Sequence, residues 1–314
     1  MRRLVVGYLR LARPSTSIST LLTSIASSVS YDNPLKYIDP LSLALLYLGV
    51  FLSHVAVNIF NDYFDYRSGI DLYTVKTSFS GGSKAIVEGI VSASETLYMA
   101  TITLFSAALI GLYLTILRGL IVLILMIIGA VIVVGYTLFF TKIGLGELSI
   151  YLKGVFVSLG SFYVVYQKID LLSLIIGSVY GLSSVIILFI NSVPDRDIDK
   201  IFGRRNLVII SQENKLWIIY VVLIGLLMMN ILILSLYIDT LIFYIYLILS
   251  IGVVLFMSIN ALYLKKVLSI NELFVNRLSK LSNAASINIF SLRVIEFLTV
   301  YVFIIKNFLF ETGG

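Results

Sequence analysis

The sequence predicts an all-α, polytopic membrane protein, and two observations carry this prediction. The chain of 314 residues is 59% hydrophobic and only 13% charged, more apolar surface than a soluble domain can bury. Apolar runs of about 20 residues, the length that crosses a bilayer core as a helix, recur along the chain. No polar or Pro/Gly-rich linker divides it, so we expect a single membrane domain over residues 1–314.

Nine apolar segments are candidates for membrane-spanning helices. The first is rich in Ser and Thr, and the last contains Arg293 and Glu296, so these two are the least apolar. We place the nine spans near residues 15–31, 41–60, 96–117, 119–140, 147–167, 171–192, 216–237, 240–264 and 287–309.

The distribution of basic residues predicts the orientation in the membrane. With the N-terminus in the cytoplasm, eighteen of the 23 Lys and Arg residues fall on the cytoplasmic side and four on the outer side. This bias is the positive-inside pattern of multi-pass cell-membrane proteins. It accounts for the net charge of +6, so we expect a lipid bilayer and no nucleic acid as partner. Cysteine is absent, which excludes disulfides, thiolate metal sites and a cysteine nucleophile.

Two acidic clusters follow the second and sixth predicted spans. Four crossings separate them, so both clusters should face the cytoplasm. Each cluster begins with an asparagine four residues before an aspartate, and each places its side chains on one helical stripe. The stripes are Asn58, Asp62 and Asp65 in the first cluster, and Asn191, Asp195 and Asp199 in the second.

Carboxylates beside the membrane core are costly unless a partner compensates them. Mg²⁺ suits these stripes, because it takes oxygen ligands, needs few of them from protein and binds substrate phosphates. Such a metal would hold a diphosphate and stabilise it as a leaving group. Basic residues predicted on the same face include Arg67, Lys84, Lys142 and Arg204, and the segment from Phe79 to Lys84 offers glycine-rich backbone amides to phosphate.

These motifs resemble those of the UbiA superfamily of intramembrane prenyltransferases. That family pairs Asn-Asp-x-x-Asp after its second helix with Asp-x-x-x-Asp after its sixth, present here as Asn61-Asp62-x-x-Asp65 and Asp195-x-x-x-Asp199. The third aspartate of the first motif is displaced to Asp71, as in the branch similar to 1,4-dihydroxy-2-naphthoate polyprenyltransferase of menaquinone synthesis. The resemblance runs from about residue 10 to 210.

The resemblance implies nine helices around a central cavity, with a cytoplasmic cap made by the two motif loops. It implies Mg²⁺-dependent transfer of a prenyl group from prenyl diphosphate to an aromatic, quinone-precursor acceptor through an allylic cation. The implied catalytic and metal-binding set is Asp62, Asp65, Asp195 and Asp199, with Asp71 as a further metal ligand. The implied substrate contacts are Asn58, Arg67, Tyr136, Lys142 and Arg204.

Three alternatives stay open at this stage. A glycerol-ether lipid, as in digeranylgeranylglyceryl phosphate synthesis, is the second candidate acceptor. A cation-coupled transporter predicts carboxylates deep within the spans, whereas these lie at one edge. A CDP-alcohol phosphotransferase requires an Asp-Gly-x-x-Ala-Arg motif, which the sequence lacks. Sequence assigns no role to His54 or Lys153.

Overall fold

The computed structural model describes residues 2–77, 80–238, 240–269 and 274–311. These residues form helices and no strand, which confirms the all-α prediction for the described part of the chain. Ten of its helices have eleven residues or more. They are α1 (Arg2–Ala12), α2 (Ile18–Val29), α3 (Pro40–Ser68), α4 (Ala93–Arg118), α5 (Leu120–Gly135), α6 (Gly146–Tyr166), α7 (Leu171–Ser192), α8 (Leu216–Ser235), α9 (Thr240–Ser269) and α10 (Phe274–Glu311).

Within the described residues, seven helices are long and apolar enough to cross a membrane, and an eighth span is present if one bent pair counts as a single crossing. This agrees with a polytopic membrane protein, but it is fewer than the nine spans predicted. The missing span is the first, predicted at 15–31. It forms a short 3-10 turn, Pro14–Ser17, followed by α2, whose 12 residues are too short to cross a bilayer core alone.

Helix α2 is a hydroxyl-rich helix buried within the bundle. Its side chains bond back to carbonyl groups one turn earlier, as Thr23 does to Ser19. They also reach across to α6, where the Ser24 and Ser161 hydroxyls lie 2.7 Å apart. Paired hydroxyls of this kind let a polar helix pack inside an apolar bundle.

The bent pair explains the shape of the fourth predicted span, 119–140. Residues Leu120–Ile132 and Tyr136–Ile143 meet at an angle of 46°. The bend coincides with a π-helical segment, Tyr136–Phe140, and such a segment interrupts the regular backbone bonding and commonly causes a kink. The bend directs the end of this span towards the acidic clusters described below.

Helix α7 lies at the centre of the molecule and packs closely on α6. A Cβ atom added to Gly154 would lie 2.6 Å from the Cα of Gly181, and one added to Gly177 would lie 2.6 Å from the Cα of Val155. Glycine is therefore required for this backbone contact, as in small-residue interfaces of membrane helices. The main core surrounds α7 with side chains of α8, α9 and α10.

Two predicted loops are shorter than expected. The loop 61–95 begins only after Ser68, because α3 continues through the first acidic cluster. The loop 265–286 is largely helical in its described part, since α9 ends at Ser269 and α10 begins at Phe274. Three short helices follow one another at the end of α3 that carries the acidic residues. Ile70–Tyr73 packs on α3, Arg196–Ile201 packs on Ile70–Tyr73, and Leu207–Ile210 packs on Arg196–Ile201 and α7. We refer to this end of the bundle as the carboxylate end.

Candidate functional site

The two acidic clusters meet at the carboxylate end, as the parity of the predicted spans required. The guanidinium group of Arg204 donates one hydrogen bond to Asp65 of α3 and another, of 3.1 Å, to Asp199 of the helix Arg196–Ile201. Asp65 and Asp199 are both buried. Arg204 therefore joins the first cluster to the second, and the predicted diphosphate contact lies between two predicted metal ligands.

A glycine-rich loop lies between the clusters and ties them together. The N–H of Ser83 donates to Asp62 at 3.2 Å, and the backbone of Gly81 lies beside the Asp195 carboxyl group. Gly81 has a φ of 81°, and a Cβ there would lie 2.5 Å from the carbonyl oxygen of Val75. In this structure the Asp62 carboxylate uses a loop amide that sequence assigned to phosphate, and Phe79 lies outside the described residues.

Two basic residues at the site were not in the predicted set. Arg13 donates to Asp62 at 2.8 Å, and the buried Lys84 bonds to the carbonyl of Asp71 and to Thr74. Both have positive φ angles, 43° and 60°, a conformation that is strained for residues other than glycine. The sequence signals Arg13 only through the pair Arg13-Pro14 before the first predicted span, which resembles the family, and Lys84 only as a basic residue of the same face.

The amide side chains of α3 position their neighbours. Asn58, predicted to bind substrate, donates to the Ala12 carbonyl at 2.8 Å and to the Thr16 hydroxyl at 2.9 Å, which holds the turn that carries Arg13. Asn61 donates to Asp65 at 3.0 Å.

Tyr136 stands at the start of the π-helical segment and lies near Arg204. Its neighbour Thr137 donates to the side-chain oxygen of Asn61 at 2.8 Å. The bend in the fourth span therefore brings this predicted residue to the site.

Two predicted diphosphate contacts lie away from the carboxylates. Arg67 and Lys142 are exposed, and within the described residues neither forms a hydrogen bond or ion pair with the five aspartates. The reason is geometric, because Arg67 falls off the stripe of Asp62 and Asp65, and Lys142 follows the bend. Asp197, which lies between the stripe residues Asp195 and Asp199 in sequence, is exposed, and its carboxylate lies 3.7 Å from the guanidinium group of Arg196.

The carboxyl groups of the site perturb one another. Burial raises the pKa of Asp71 to about 7, with Asp65 and Asp62 adding to the effect. Burial likewise raises the pKa of Asp195 to about 7, with a contribution from Asp199. The pKa of Asp199 rises to about 6, also through burial, although Arg204 opposes this shift. Such shifts indicate a site that favours additional positive charge.

The donor set fits a hard cation and an anion together. No three His, Cys, Asp or Glu residues in the described ranges form a ready-made metal centre, but Mg²⁺ takes only a few protein oxygens and completes its shell with water and phosphate. The side-chain oxygen of Asn191, which opens the second stripe, is buried without a hydrogen-bond partner, and so is the Nε donor of Arg13. The Asn191 oxygen is thus available to a cation, and the Arg13 Nε–H is available to an anion.

An apolar cavity of about 360 Å³ lies deeper in the bundle. It is lined by α3, α4, α5 and α6 with Thr20 of α2, and its few polar lining residues include Thr20, Ser53, His54 and Lys153. His54 and Asp62 are eight residues apart on α3, so the polar rim of the cavity lies about 12 Å below the carboxylates at 1.5 Å per residue. One helix therefore connects the acidic site to an apolar chamber.

The profile of the UbiA prenyltransferase family matches residues 18–283, most of the chain. This chain belongs to the UbiA prenyltransferase family. Its relatives in the family are prenyltransferases, so the protein is an enzyme of prenyl transfer. No curated protein matches the chain at the level of sequence.

Solved structures show the same fold at low sequence identity. A structure of digeranylgeranylglyceryl phosphate synthase is 18% identical, with a TM-score of 0.61 over 97% of this chain and 99% of the other. A UbiA homologue from Archaeoglobus fulgidus bound to GPP and Mg²⁺ is 15% identical, with a TM-score of 0.62 over 93% and 99%. An apo UbiA homologue from Aeropyrum pernix K1 is 15% identical, with a TM-score of 0.64 over 93% and 97%. None of these favours the menaquinone branch over the ether-lipid branch.

Proposed function

We propose that this enzyme transfers a polyprenyl group from a prenyl diphosphate to an aromatic, quinone-precursor acceptor within the membrane, in a reaction that depends on Mg²⁺. The observation that carries the proposal is the junction of two environments on α3. The buried carboxylates of Asp62 and Asp65 pair with the half-buried guanidinium groups of Arg13 and Arg204. The same helix lines an apolar cavity, whose polar lining residue His54 lies about two turns deeper than Asp62. A molecule with a charged diphosphate and a long apolar tail matches both.

The metal would be held by Asp62, Asp65, Asp195 and Asp199, with Asp71 as a further ligand. Support comes from their convergence around Arg204 and the glycine-rich loop and from the homologue bound to GPP and Mg²⁺. When bound, Mg²⁺ supplies positive charge that stabilises diphosphate as it leaves. The convergence of hard oxygen donors on one buried space is what favours Mg²⁺ over softer metals.

The residues of the chain then have distinct tasks. Arg13, whose Nε lacks a partner, and Arg204 take up negative charge as the C–O bond breaks and its electron pair leaves with the diphosphate. The apolar cavity holds the tail and keeps water from the allylic cation. An electron pair of the aromatic ring forms the new C–C bond, and the ring then loses a proton. Tyr136 lines the site beside Arg204.

A glycerol-ether lipid is the second candidate acceptor. It is favoured by the structural match to digeranylgeranylglyceryl phosphate synthase, which is as good as the match to the other homologues. In that case a hydroxyl oxygen of the acceptor forms a C–O bond to the prenyl carbon and loses its proton. The leaving diphosphate and its site are the same in both reactions.

We also propose that the carboxylate end faces the cytoplasm as a cap formed by the two motif loops. The basic residues gathered there, including Arg10, Arg13 and Arg204, support this orientation. The segment Pro14–Val29 then makes a ninth crossing. Its neighbours α6 and α10 pack against it and shield its hydroxyl groups from lipid.

The decisive experiment is an incubation of purified protein with labelled geranylgeranyl diphosphate, Mg²⁺ and single acceptors of each class. We expect acceptor-dependent release of diphosphate and a labelled product that extracts into organic solvent. EDTA should abolish product formation and added Mg²⁺ should restore it. Turnover that persists in EDTA would contradict the metal site, and the absence of product with every acceptor would contradict the proposed function.

A further inference from the structure

We propose that Lys153 binds an anionic group of the acceptor, so that the enzyme selects acceptors that carry a carboxylate or a phosphate. This inference rests on the proposed prenyl transfer and names the recognition element of its second substrate. It arises from a cluster of ionisable residues that the reaction at the carboxylate end does not use. The cluster comprises His54, Lys153, Arg293 and Glu296.

The cluster lies deep in the bundle, on the wall of the apolar cavity. Lys153 of α6 and His54 of α3 both line that cavity, with the Lys153 ammonium 3.5 Å from Nδ1 of His54. Glu296 is fully buried in α10 behind them. Ionisable residues inside a membrane bundle are costly and usually face a substrate path.

The positive charge of Lys153 is left over after the neighbouring charges are paired. Arg293 donates to Glu296 at 2.6 Å, and the other carboxylate oxygen of Glu296 accepts from Ser19. Lys153 has no carboxylate within salt-bridge distance among the residues that the structure describes. Lys153 and Arg293 carry two positive charges and Glu296 carries one negative charge, so one positive charge is in excess beside the apolar cavity.

His54 does not compensate this charge. An ammonium group has only donors, so Nδ1 of His54 must accept from Lys153, and also from the Thr20 hydroxyl at 2.7 Å. The imidazole is then neutral, with its proton on Nε2, which lies 3.4 Å from the Thr16 hydroxyl. Thr16 also accepts from Asn58. The histidine thus holds the ammonium in place and links it to the turn that carries Arg13.

The position of Lys153 fits the second substrate better than the first. The diphosphate belongs to the carboxylate end, where Arg13, Lys84 and Arg204 gather. The rim at His54 and Lys153 is about 12 Å deeper by the rise of α3. An acceptor whose reactive atom lies below the diphosphate would place its far end at this rim. An anion there would pair with the excess charge in a water-poor site, where such a contact is strong.

Both candidate acceptors satisfy this requirement, because a hydroxynaphthoate carries a carboxylate and a prenylglyceryl phosphate carries a phosphate. The shared chemistry is an anionic group at one end of an otherwise uncharged acceptor. The test therefore pairs each anion with its neutral analogue: dihydroxynaphthoate with its carboxamide, and geranylgeranylglyceryl phosphate with geranylgeranylglycerol.

The experiment measures steady-state kinetics and equilibrium binding for the wild type, Lys153→Gln, Lys153→Arg and the control Lys266→Gln. Lys266 is exposed near the end of α9, so its replacement removes one charge away from the cavity. We expect Lys153→Gln to raise KM and Kd for the anionic acceptor about 30-fold. KM for geranylgeranyl diphosphate and Kd for the neutral analogue should stay unchanged. Lys153→Arg should restore most of the affinity.

Equal affinity of the wild type for the anionic and neutral members of both pairs would overturn the proposal. So would a Lys153→Gln variant that weakens both members of a pair to the same degree. Unchanged binding of geranylgeranyl diphosphate shows that Lys153→Gln is folded. If Lys153→Gln does not fold, the proposal is tested by the wild-type affinities for the anionic and neutral members of each pair and by the Lys153→Arg variant. Binding is measured without turnover, so a failure of prenyl transfer itself is distinguished from a failure of anion recognition.

Discussion

Arg204 contacts both acidic clusters at once, through Asp65 on one side and Asp199 on the other. A half-buried guanidinium between two carboxylates is stabilised by its hydrogen bonds, and its planar fork also matches phosphate. Arg13 is similar, since it pairs with Asp62 and retains an unpaired Nε. At the scale of residues, the site is therefore a set of carboxylates that already hold cationic side chains suited to a diphosphate.

Replacement of Arg204 should impair catalysis more than binding of the acceptor. We expect Arg204→Ala to lower kcat/KM for the prenyl diphosphate by about 10²-fold or more, because a donor aimed at developing negative charge is lost. The matched control is Arg205→Ala, whose side chain is exposed. Melting temperatures of both variants separate this effect from lost stability, and an Arg204→Ala enzyme with wild-type kinetics would remove Arg204 from the mechanism.

The second acidic cluster offers a matched pair of aspartates. Asp195→Asn should abolish Mg²⁺-dependent turnover, since Asp195 lies beside Asp199 and the backbone of Gly81 at the centre of the site. Asp197→Asn should leave turnover near the wild-type value, because Asp197 is exposed and lies beside Arg196. Titration of activity with Mg²⁺ checks both expectations. Equal losses of turnover in Asp195→Asn and Asp197→Asn would indicate that turnover depends on the total negative charge of this segment and not on Asp195 as a metal ligand.

Binding of Mg²⁺ should depend on pH. The pKa values of Asp71 and Asp195 are about 7 without metal, raised chiefly by burial. Below that pH these groups hold protons that a cation must displace, and above it they are already ionised, so Mg²⁺ affinity should rise from pH 6 to pH 8. Calorimetric titration at three pH values measures this. An affinity that falls or stays constant over the range would contradict the assignment of these carboxyls as ligands.

At the scale of elements, the site depends on helices that approach closely or bend. The π-helical segment Tyr136–Phe140 directs its span towards Arg204, and the glycines of α6 and α7 bring those backbones into contact. Helix α6 also carries Lys153 on the cavity wall. The packing of α6 on α7 therefore holds in place the cavity wall that α6 provides.

A methyl group in the contact between α6 and α7 should destabilise the protein. Gly154→Ala places a Cβ 2.6 Å from the Gly181 backbone, so the helices must separate, at a cost of about 1–3 kcal/mol. Thermal unfolding in detergent should show a lower melting temperature. The control is Gly225→Ala in α8, where an added Cβ meets nothing within 4 Å. A Gly154→Ala protein as stable as the control would mean that the contact is not tight.

At the scale of the whole molecule, polar and apolar functions are separated along the bundle. Carboxylates and basic groups gather at one end, and the apolar cavity lies towards the middle. This separation lets an amphipathic substrate align itself, with its charged group at the membrane edge and its tail among the helices. The basic residues at the carboxylate end also predict that this end faces the cytoplasm.

The orientation can be tested with single cysteines, because the chain has none of its own. We expect Asp197→Cys to react with a membrane-impermeant maleimide only from the cytoplasmic side. Lys168→Cys, after α6, should react only from the outer side, since one crossing separates this position from the carboxylate end. Labelling of intact and inverted vesicles distinguishes the two sides. Reversed labelling would contradict the proposed orientation.

Sequence determined the class of the protein, its apolar spans and the residues of the two acidic stripes, because hydropathy and helical spacing are local properties. It did not determine that α2 is too short to span alone, that Arg67 and Lys142 lie outside the site, or that Arg13 and Lys84 lie inside it. Those outcomes depend on where a turn or a bend places a side chain. The excess charge of Lys153 likewise emerges only in the tertiary structure, since its neighbours His54 and Glu296 come from helices distant in sequence.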